Sequence, residues 1–149
     1  MQSLLSRIDA GERVTFDELL RAELSAQGSL EDGSRISLEG TPGIRLGATT
    51  IQTLALAIHE LATNAAKYGA LRDHGHLLVR WWVERAGERQ RLKVEWSESG
   101  VAMPAASAVA AGGGYGRELI ERALPYQLNA ETSLVMGENG VRCTIALPI

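Results

Sequence analysis

The sequence predicts an α+β fold, a two-layer α/β sandwich in which helices cover one face of a mixed, mostly antiparallel sheet. Apolar residues recur at helical spacing along 51–71, whereas they alternate with other residues along 77–83 and 92–96. The periodic stretches follow one another in the order helix, strands, helix, hairpin, loop, helix, hairpin. A chain of 149 residues that is 45% hydrophobic can bury one core, so we expect a single domain over 1–149.

The first predicted helix begins at Thr15, which together with Glu18 has the spacing of a capping box. The leucines that follow share its buried side. Two short strands come next, over 35–39 and 44–46, with a turn at Thr41-Pro42-Gly43 between them. We expect both strands to form one edge of the sheet.

The central helix is expected to begin with a Thr49/Thr50 cap and to stop at Gly69. Two hairpins follow it, one over 77–96 and one over 132–147, and a third helix lies between them. Within that third helix, Pro125 is expected to bend or end the helical run because proline lacks a backbone N–H.

Composition excludes several classes of protein. The net charge of −3 comes without a basic cluster, so we expect no nucleic-acid partner. The single cysteine, Cys143, excludes an intrachain disulfide and predicts a buried strand thiol in a reduced, cytoplasmic protein. The sequence has neither a signal-peptide pattern nor an apolar run of about 18 residues, so we expect no direct insertion into a membrane.

One face of the central helix carries three large polar side chains, Glu60, Asn64 and Lys67, spaced four and three residues apart. Their chemistry matches a metal-bound polyphosphate. The Asn64 amide can offer an oxygen to Mg²⁺, Lys67 can neutralise phosphate, and Glu60 can hold a water or act as a general base. Alternatively, the same pattern is that of a solvated helix face without a function.

A glycine-rich segment, Gly112-Gly113-Gly114-Tyr115-Gly116, lies just before the third helix. Backbone amides in such a segment can hold phosphate, although a glycine run also serves as a flexible linker. The segment lacks the third glycine of a dinucleotide fingerprint and the Gly-Lys-Ser/Thr end of a P-loop. The zinc-protease pattern that His59-Glu60 would begin fails as well, because its second histidine would fall at Thr63.

A third candidate lies at a strand end, in Trp96-Ser97-Glu98-Ser99-Gly100. The Glu98 carboxylate can accept a hydrogen bond from an exocyclic amino group such as that of adenine, and Gly100 lets a ligand ring approach the backbone. The alternative is an exposed glutamate in a turn.

The three sites together resemble a known family. The segments HELATNAAKYGAL, WSESG, GYGRELIERAL and GVRCTIALPI are similar to the ATP-binding domain of bacterial sensor histidine kinases of the HWE subfamily. The subfamily signature is matched by His59, Trp96 and Glu98. The resemblance runs from about Leu4 to Ile149, and it implies the Bergerat ATP-binding fold of the GHKL superfamily.

The resemblance also implies roles for individual residues, with ATP and Mg²⁺ as cofactors. In the asparagine box, Asn64 corresponds to the Mg²⁺ ligand, Lys67 to the basic residue that meets phosphate, and Glu60 to a glutamate that activates water in related ATPases. Glu98 stands in place of a more usual aspartate as the acceptor of the adenine amino group, with Gly100 allowing close contact.

In the second glycine box, Gly114, Tyr115 and Gly116 match the nucleotide-binding residues, and 101–113 would be the ATP lid. For the signature residues His59 and Trp96, we expect hydrogen-bonding or packing roles.

A histidine kinase of this kind donates the γ-phosphoryl group of ATP to a histidine on a separate helical hairpin, and a response regulator acts downstream. None of His59, His74 and His76 lies in such a hairpin. We therefore expect the catalytic domain of a longer kinase or a stand-alone relative, which does not autophosphorylate alone. Two rival functions stay open, an anti-sigma-factor-like serine kinase and a non-catalytic, nucleotide-gated interaction module.

Overall fold

The computed structural model describes residues 14–26, 35–67, 70, 75–100, 117–137 and 140–149. These residues form three helices and seven strands. In chain order, the elements are β1 (Val14–Thr15), α1 (Phe16–Ala26), β2 (Ile36–Gly40), β3 (Arg45–Leu46), α2 (Ala48–Lys67), β4 (His76–Ala86), β5 (Arg89–Ser99), α3 (a π-helical segment Leu119–Ala123 followed by an α-helical segment Leu124–Leu128), β6 (Glu131–Gly137) and β7 (Gly140–Pro148).

Five of the strands form one sheet in the order β2-β4-β5-β7-β6. β2 runs parallel to β4, and the other three pairings are antiparallel. The predicted α+β architecture with a mixed, mostly antiparallel sheet is therefore confirmed, as are both hairpins.

The core lies between the sheet and the helices. Because side chains alternate across a strand, every second residue of the three central strands faces the helices. These residues are buried, namely Leu77, Val79, Trp81, Leu92, Val94, Trp96, Cys143, Ile145 and Leu147. They belong to one hydrophobic cluster with the apolar sides of α1 and α2. Burial of each large apolar side chain stabilises the fold by about 1.5–3 kcal/mol.

The predicted capping box at the start of α1 is present, because the Glu18 backbone N–H donates to Thr15 Oγ1 at 3.2 Å. The prediction that both short strands form the sheet edge is half wrong. β2 is the edge strand, but β3 pairs antiparallel with β1 in a separate two-stranded sheet. The turn before β3 contacts α1, since Gly43 N–H donates to Asp17 Oδ1 at 3.1 Å. These contacts hold β3 against the start of α1.

The central helix α2 begins at Ala48, and the expected Thr49/Thr50 cap is wrong. The Gly47 carbonyl accepts the Ile51 N–H at 3.0 Å, which is the first i to i−4 bond of the helix. Thr49 and Thr50 therefore lie in the first turn. Gly69, the expected stop, is outside the described residues, and within them α2 ends at Lys67.

Pro125 does not end α3, which continues to Leu128. The Leu124 N–H donates to the Leu119 carbonyl, an i to i−5 bond that closes a π-helical turn. Pro125 follows this π-helical turn directly as the second residue of the α-helical segment, and the helix continues past a residue that has no backbone N–H. The helix ends beyond Leu128 because Asn129 adopts a left-handed conformation with φ 54°.

Among the helices that the structure describes, none combines the length and the hydropathy needed to cross a lipid bilayer.

Candidate functional site

The carboxylate of Glu98 is the centre of the candidate site. Glu98 lies near the end of β5 and is only 7% exposed. Its Oε1 accepts the Ala70 backbone N–H at 3.0 Å, and its Oε2 accepts the indole N–H of Trp96 at 2.9 Å. Each carboxylate oxygen therefore has one bonded donor and a further lone pair for a ligand.

The strand geometry explains why Trp96 and Glu98 meet. Residues two apart on a strand point to the same face, so the two side chains are neighbours on the core side of β5. Burial raises the pKa of Glu98 because it penalises the charged form, while the hydrogen bonds from Ala70 and Trp96 lower it. The net effect is a pKa above the usual carboxyl value of 4.5.

The backbone that contacts Glu98 is itself held by Arg35. The Arg35 guanidinium donates to the Ala70 carbonyl at 2.5 Å and to the Gly75 carbonyl at 3.3 Å. The Ala70 peptide is thus bonded on both sides, to Glu98 through its N–H and to Arg35 through its carbonyl. The sequence had no signal for either Ala70 or Arg35, because both contacts join residues far apart in the chain.

Two glycines lie against the same strand end. Gly100 has φ +79°, a conformation that favours glycine, and a Cβ there would lie 3.5 Å from Gly75 Cα. A Cβ added at Gly140, at the start of β7, would lie 1.8 Å from the carbonyl oxygen of Glu98. Sequence reasoning singled out Gly100 and missed Gly140.

Replacing Gly140 by alanine is expected to destabilise the fold by about 1–3 kcal/mol, because the new methyl group would push β7 away from the backbone of Glu98. Urea denaturation would measure the change. Gly47→Ala is the matched control, since a Cβ there meets nothing within 4 Å. Equal stability of the two variants would contradict the close contact at Gly140.

The polar stripe predicted on α2 lies in the second half of the helix. Glu60 and Asn64 are half-buried, and Lys67 is exposed as the last helical residue. Within the described residues, none of the three side chains has a hydrogen bond or an ion pair. Lys67 is three residues from Ala70, so their Cα atoms are at most about 11 Å apart. The structure therefore brings the end of α2 and Glu98 to the same end of the sandwich.

The signature histidine has a different partner. His59 Nδ1 lies 2.9 Å from Glu23 Oε2, so this hydrogen bond joins α2 to α1. His59 is on another side of α2 than the stripe of Glu60, Asn64 and Lys67, because successive helical residues are rotated by about 100°. The hydrogen bond gives His59 a structural role, since it links two helices. The sequence did not indicate Glu23 as its partner.

Cys143 is buried on β7 opposite Trp96, as predicted for a structural thiol. Burial and the negative charge of Glu98 raise the pKa of the Cys143 thiol to about 12, so the thiol stays protonated at neutral pH.

Two surface depressions in the described part of the chain are lined by other residues. One of about 360 Å³ lies on the outer face of the sheet beside Trp82 and Thr144, and one of about 430 Å³ lies between α2 and α3 beside Leu56 and Tyr126. Neither contains Glu98, Asn64 or Lys67. Gly114, Tyr115 and Gly116 and the predicted lid over 101–113 lie outside the described residues, so the predicted phosphate-holding segment is not part of this geometry.

A five-stranded sheet of this order with helices on one face is also found in solved histidine kinases. The catalytic domain of the histidine kinase ThkA superposes with a TM-score of 0.63 at 15% identity, covering 93% of this chain and 95% of that one. The histidine kinase domain of the blue-light-activated kinase EL346 from Erythrobacter litoralis superposes with a TM-score of 0.60 at 21% identity, covering 87% of this chain and 60% of that one. The fold is that of a histidine kinase catalytic domain.

Relatives in sequence agree with the structural comparison. A blue-light-activated histidine kinase of Rhizobium johnstonii is 28% identical over 136 residues, covering 91% of this chain and 36% of the relative. One of Brucella ovis is 29% identical over 120 residues, covering 78% of this chain and 23% of the relative. The chain thus spans about a third or less of the length of these relatives. No protein-family model matches the sequence.

These similarities confirm the resemblance to histidine kinases and the expected α+β fold of their catalytic domain. A third solved structure holds ThkA in complex with the response regulator protein TrrA, and its kinase chain superposes with a TM-score of 0.59 at 15% identity over 93% of this chain and 41% of that one.

Proposed function

We propose that this chain is the ATP-binding catalytic domain of an HWE-type sensor histidine kinase, which binds Mg-ATP and donates the γ-phosphoryl group to a histidine on a separate helical hairpin. The observation that carries the proposal is the Glu98 carboxylate, held by Trp96 and Ala70 at the end of the sandwich where α2 also ends. Relatives named histidine kinases support the same reaction.

Glu98 is the group that binds the purine. An ionised carboxylate only accepts hydrogen bonds, so it pairs with the 6-amino group of adenine and not with the 6-oxo group of guanine. Gly100, two residues further along the chain, has no side chain, and we expect this to let a flat ring approach the backbone.

The end of α2 supplies the groups for the phosphates. Asn64 and Lys67 have no other partner within the described residues, so an amide oxygen and an ammonium group are available to a ligand. In the described part of the chain, His, Cys, Asp and Glu side chains form no cluster of three or more that could hold a metal alone. Mg²⁺ carried by ATP would take most of its shell from phosphate oxygens and water, and the Asn64 amide oxygen would be its protein ligand.

The transfer itself depends on positioning and charge neutralisation. A nitrogen of the acceptor imidazole forms a bond to the γ-phosphorus, the bond from that phosphorus to the β–γ bridging oxygen breaks, and ADP leaves with the electron pair. Lys67 neutralises charge on the phosphates. Glu60, one turn from Asn64, is the candidate to hold a water or accept a proton. The amides of Gly114, Tyr115 and Gly116 are proposed to hold the phosphate chain.

The proposed partners are the phosphoacceptor hairpin and, downstream, a response regulator. The complex of ThkA with TrrA supports the second of these by analogy of fold. A cytoplasmic location is part of the proposal, because ATP is supplied there and the one cysteine is a buried free thiol.

The test combines binding with transfer. Calorimetric titration of the chain with ATP and Mg²⁺ is expected to show binding that is lost with EDTA. Radiolabelled ATP is then expected to label a helical hairpin that carries the phosphoacceptor histidine of a related kinase, and this label should be labile in acid, as phosphohistidine is. Acid-stable label on a serine of a partner protein would instead indicate a serine kinase. Binding without transfer to any acceptor would indicate an interaction module, and no ATP binding would overturn the proposal.

A further inference from the structure

Trp96 and Glu98 form a buried hydrogen-bonded pair. Trp96 has no exposed surface, yet its one polar atom is satisfied, because the indole N–H donates to Glu98 Oε2 at 2.9 Å. The Ala70 N–H bonds the other oxygen at 3.0 Å, so donors on both sides restrain the plane of the carboxylate. A buried hydrogen bond to a charged group is worth about 1.5–3 kcal/mol, more than an ordinary one.

The chain contains a second pair with the same spacing in a different setting. On β4, the Trp82 indole N–H donates to Glu84 Oε1 at 3.2 Å. That pair lies on the outer face of the sheet, and the Glu84 side chain is 54% exposed and also 3.5 Å from Lys93 Nζ. Water can replace the indole there, whereas no solvent reaches Trp96. The same two residue types therefore form a strong restraint in one place and a weak one in the other.

We propose that Trp96 is a positioning residue that determines purine specificity, by holding the Glu98 carboxylate in one orientation and in its hydrogen-bond-accepting form. This inference rests on the proposed function, since it assigns to Trp96 a role at the proposed adenine site.

The chemistry follows from what each group can donate. The indole N–H is only a donor, so it favours the ionised carboxylate over the acid, whose own proton would face it or have to move to the other oxygen. An ionised Glu98 accepts from the 6-amino group of ATP and repels the 6-oxo group of ITP. A protonated Glu98 can donate to that 6-oxo group, so discrimination between the two nucleotides disappears with protonation.

The neighbouring elements contribute few competing titratable groups within the described residues. Lys67 ends α2, His76 starts β4, Arg142 lies on β7, and Arg35 lies just before β2. Cys143 on β7 is close enough for the charge of Glu98 to raise the pKa of its thiol, which is therefore neutral at neutral pH. Burial raises the pKa of Glu98, and the hydrogen bonds from Ala70 and Trp96 lower it. Without the Trp96 N–H, only the Ala70 N–H opposes the effect of burial, so the pKa of Glu98 rises further. As the pH falls, discrimination between ATP and ITP is then lost at a higher pH than in the unmutated chain.

The experiment compares Trp96→Phe with the matched control Trp82→Phe. ATP and ITP affinities are measured by calorimetry from about pH 5 to about pH 8, and the Glu98 carboxyl is titrated by carbon NMR without nucleotide. In Trp96→Phe, the ratio of ATP to ITP affinity is expected to fall by about 10- to 100-fold at neutral pH, the range that the free energy of one such hydrogen bond corresponds to. The Glu98 titration is expected to move to higher pH. Trp82→Phe is expected to change neither.

The outcomes distinguish failure of the proposed function from failure of the role inferred for Trp96. If the unmutated chain binds no ATP, the proposed function and the inference fail together. If it binds ATP but Trp96→Phe keeps the affinity ratio and the Glu98 titration of the control, only the inference is overturned. Should Trp96→Phe not fold, 3-(3-benzothienyl)alanine at position 96 keeps the bicyclic ring without the N–H, and the same two readouts apply.

Discussion

Replacing Asn64 by alanine is expected to lower phosphoryl transfer to an added hairpin by about 100- to 1,000-fold, the range for removal of one preorganised group that acts on the reacting charge. Asn64 is the proposed protein ligand of Mg²⁺, and its amide makes no hydrogen bond within the described residues. The fold should therefore survive, with a change in the free energy of unfolding below about 1 kcal/mol. Asn64→Asp keeps an oxygen ligand but adds a negative charge beside the phosphates, so it is also expected to transfer poorly.

Gln52→Ala is the matched control for Asn64, because Gln52 is an exposed amide on the same helix two turns or more from the proposed site. Calorimetry with ATP and Mg²⁺, transfer assays and urea denaturation are compared for the two variants. If Asn64→Ala binds Mg-ATP with the affinity of Gln52→Ala, Asn64 is not the metal ligand, even if Glu98 binds the purine.

Replacing Glu98 by alanine is expected to affect both stability and binding. The change leaves the N–H groups of Ala70 and Trp96 buried without an acceptor, and each orphaned donor costs about 1–3 kcal/mol. Relief from burying the carboxylate offsets part of that loss. ATP affinity should fall, and the preference for ATP over GTP should disappear because the acceptor of the 6-amino group is gone.

Glu84→Ala is the control for Glu98→Ala, since Glu84 is the exposed acceptor of Trp82 on the other face of the sheet. It should cost less than about 1 kcal/mol and leave nucleotide preference unchanged. Equal affinities for ATP and GTP in the unmutated chain would contradict the assignment of Glu98 as the purine-binding group.

The raised pKa of Glu98 also predicts how stability depends on pH. The folded state keeps the Glu98 proton to a higher pH than the unfolded chain, where the carboxyl titrates near 4.5. The contribution of Glu98 to the free energy of unfolding is therefore greatest below pH 4.5 and declines as the pH rises through the raised folded value. Glu98→Gln has no such titration, so the difference between its stability and that of the unmutated chain should change across this window, as measured by urea denaturation at a series of pH values.

Local patterns predicted local structure well. The capping box at Thr15, the alternation along β4 and β5 and the turn residues between strands all depend on neighbours in sequence, and all three appear in the structure. Predictions that depended on distant partners did worse. β3 was expected at the sheet edge with β2 but pairs with β1 in a separate sheet. A local prediction also failed in part, since Pro125 does not end its helix, which continues to Leu128 after a π-helical turn.

In the candidate site as well, the sequence indicated individual residues but not their partners. Motif chemistry and spacing singled out Glu98, Gly100 and Asn64, whereas His59 and Trp96 were singled out only by the resemblance to the HWE subfamily. The partners of these residues, Glu23 for His59 and Ala70 for Glu98, come from other elements and leave no trace in local spacing. Arg35 and Gly140 were missed for the same reason.

By itself, the sequence determined which residues are helical or extended, which side chains are apolar enough to form a core, and which polar groups recur at spacings that suit a nucleotide. Only the tertiary structure decided that the acid at the end of β5 is buried and that an indole and a backbone amide bond its two oxygens. The physical reason is that side-chain periodicity is a property of each segment, whereas desolvation and hydrogen-bond partners depend on which segments pack together.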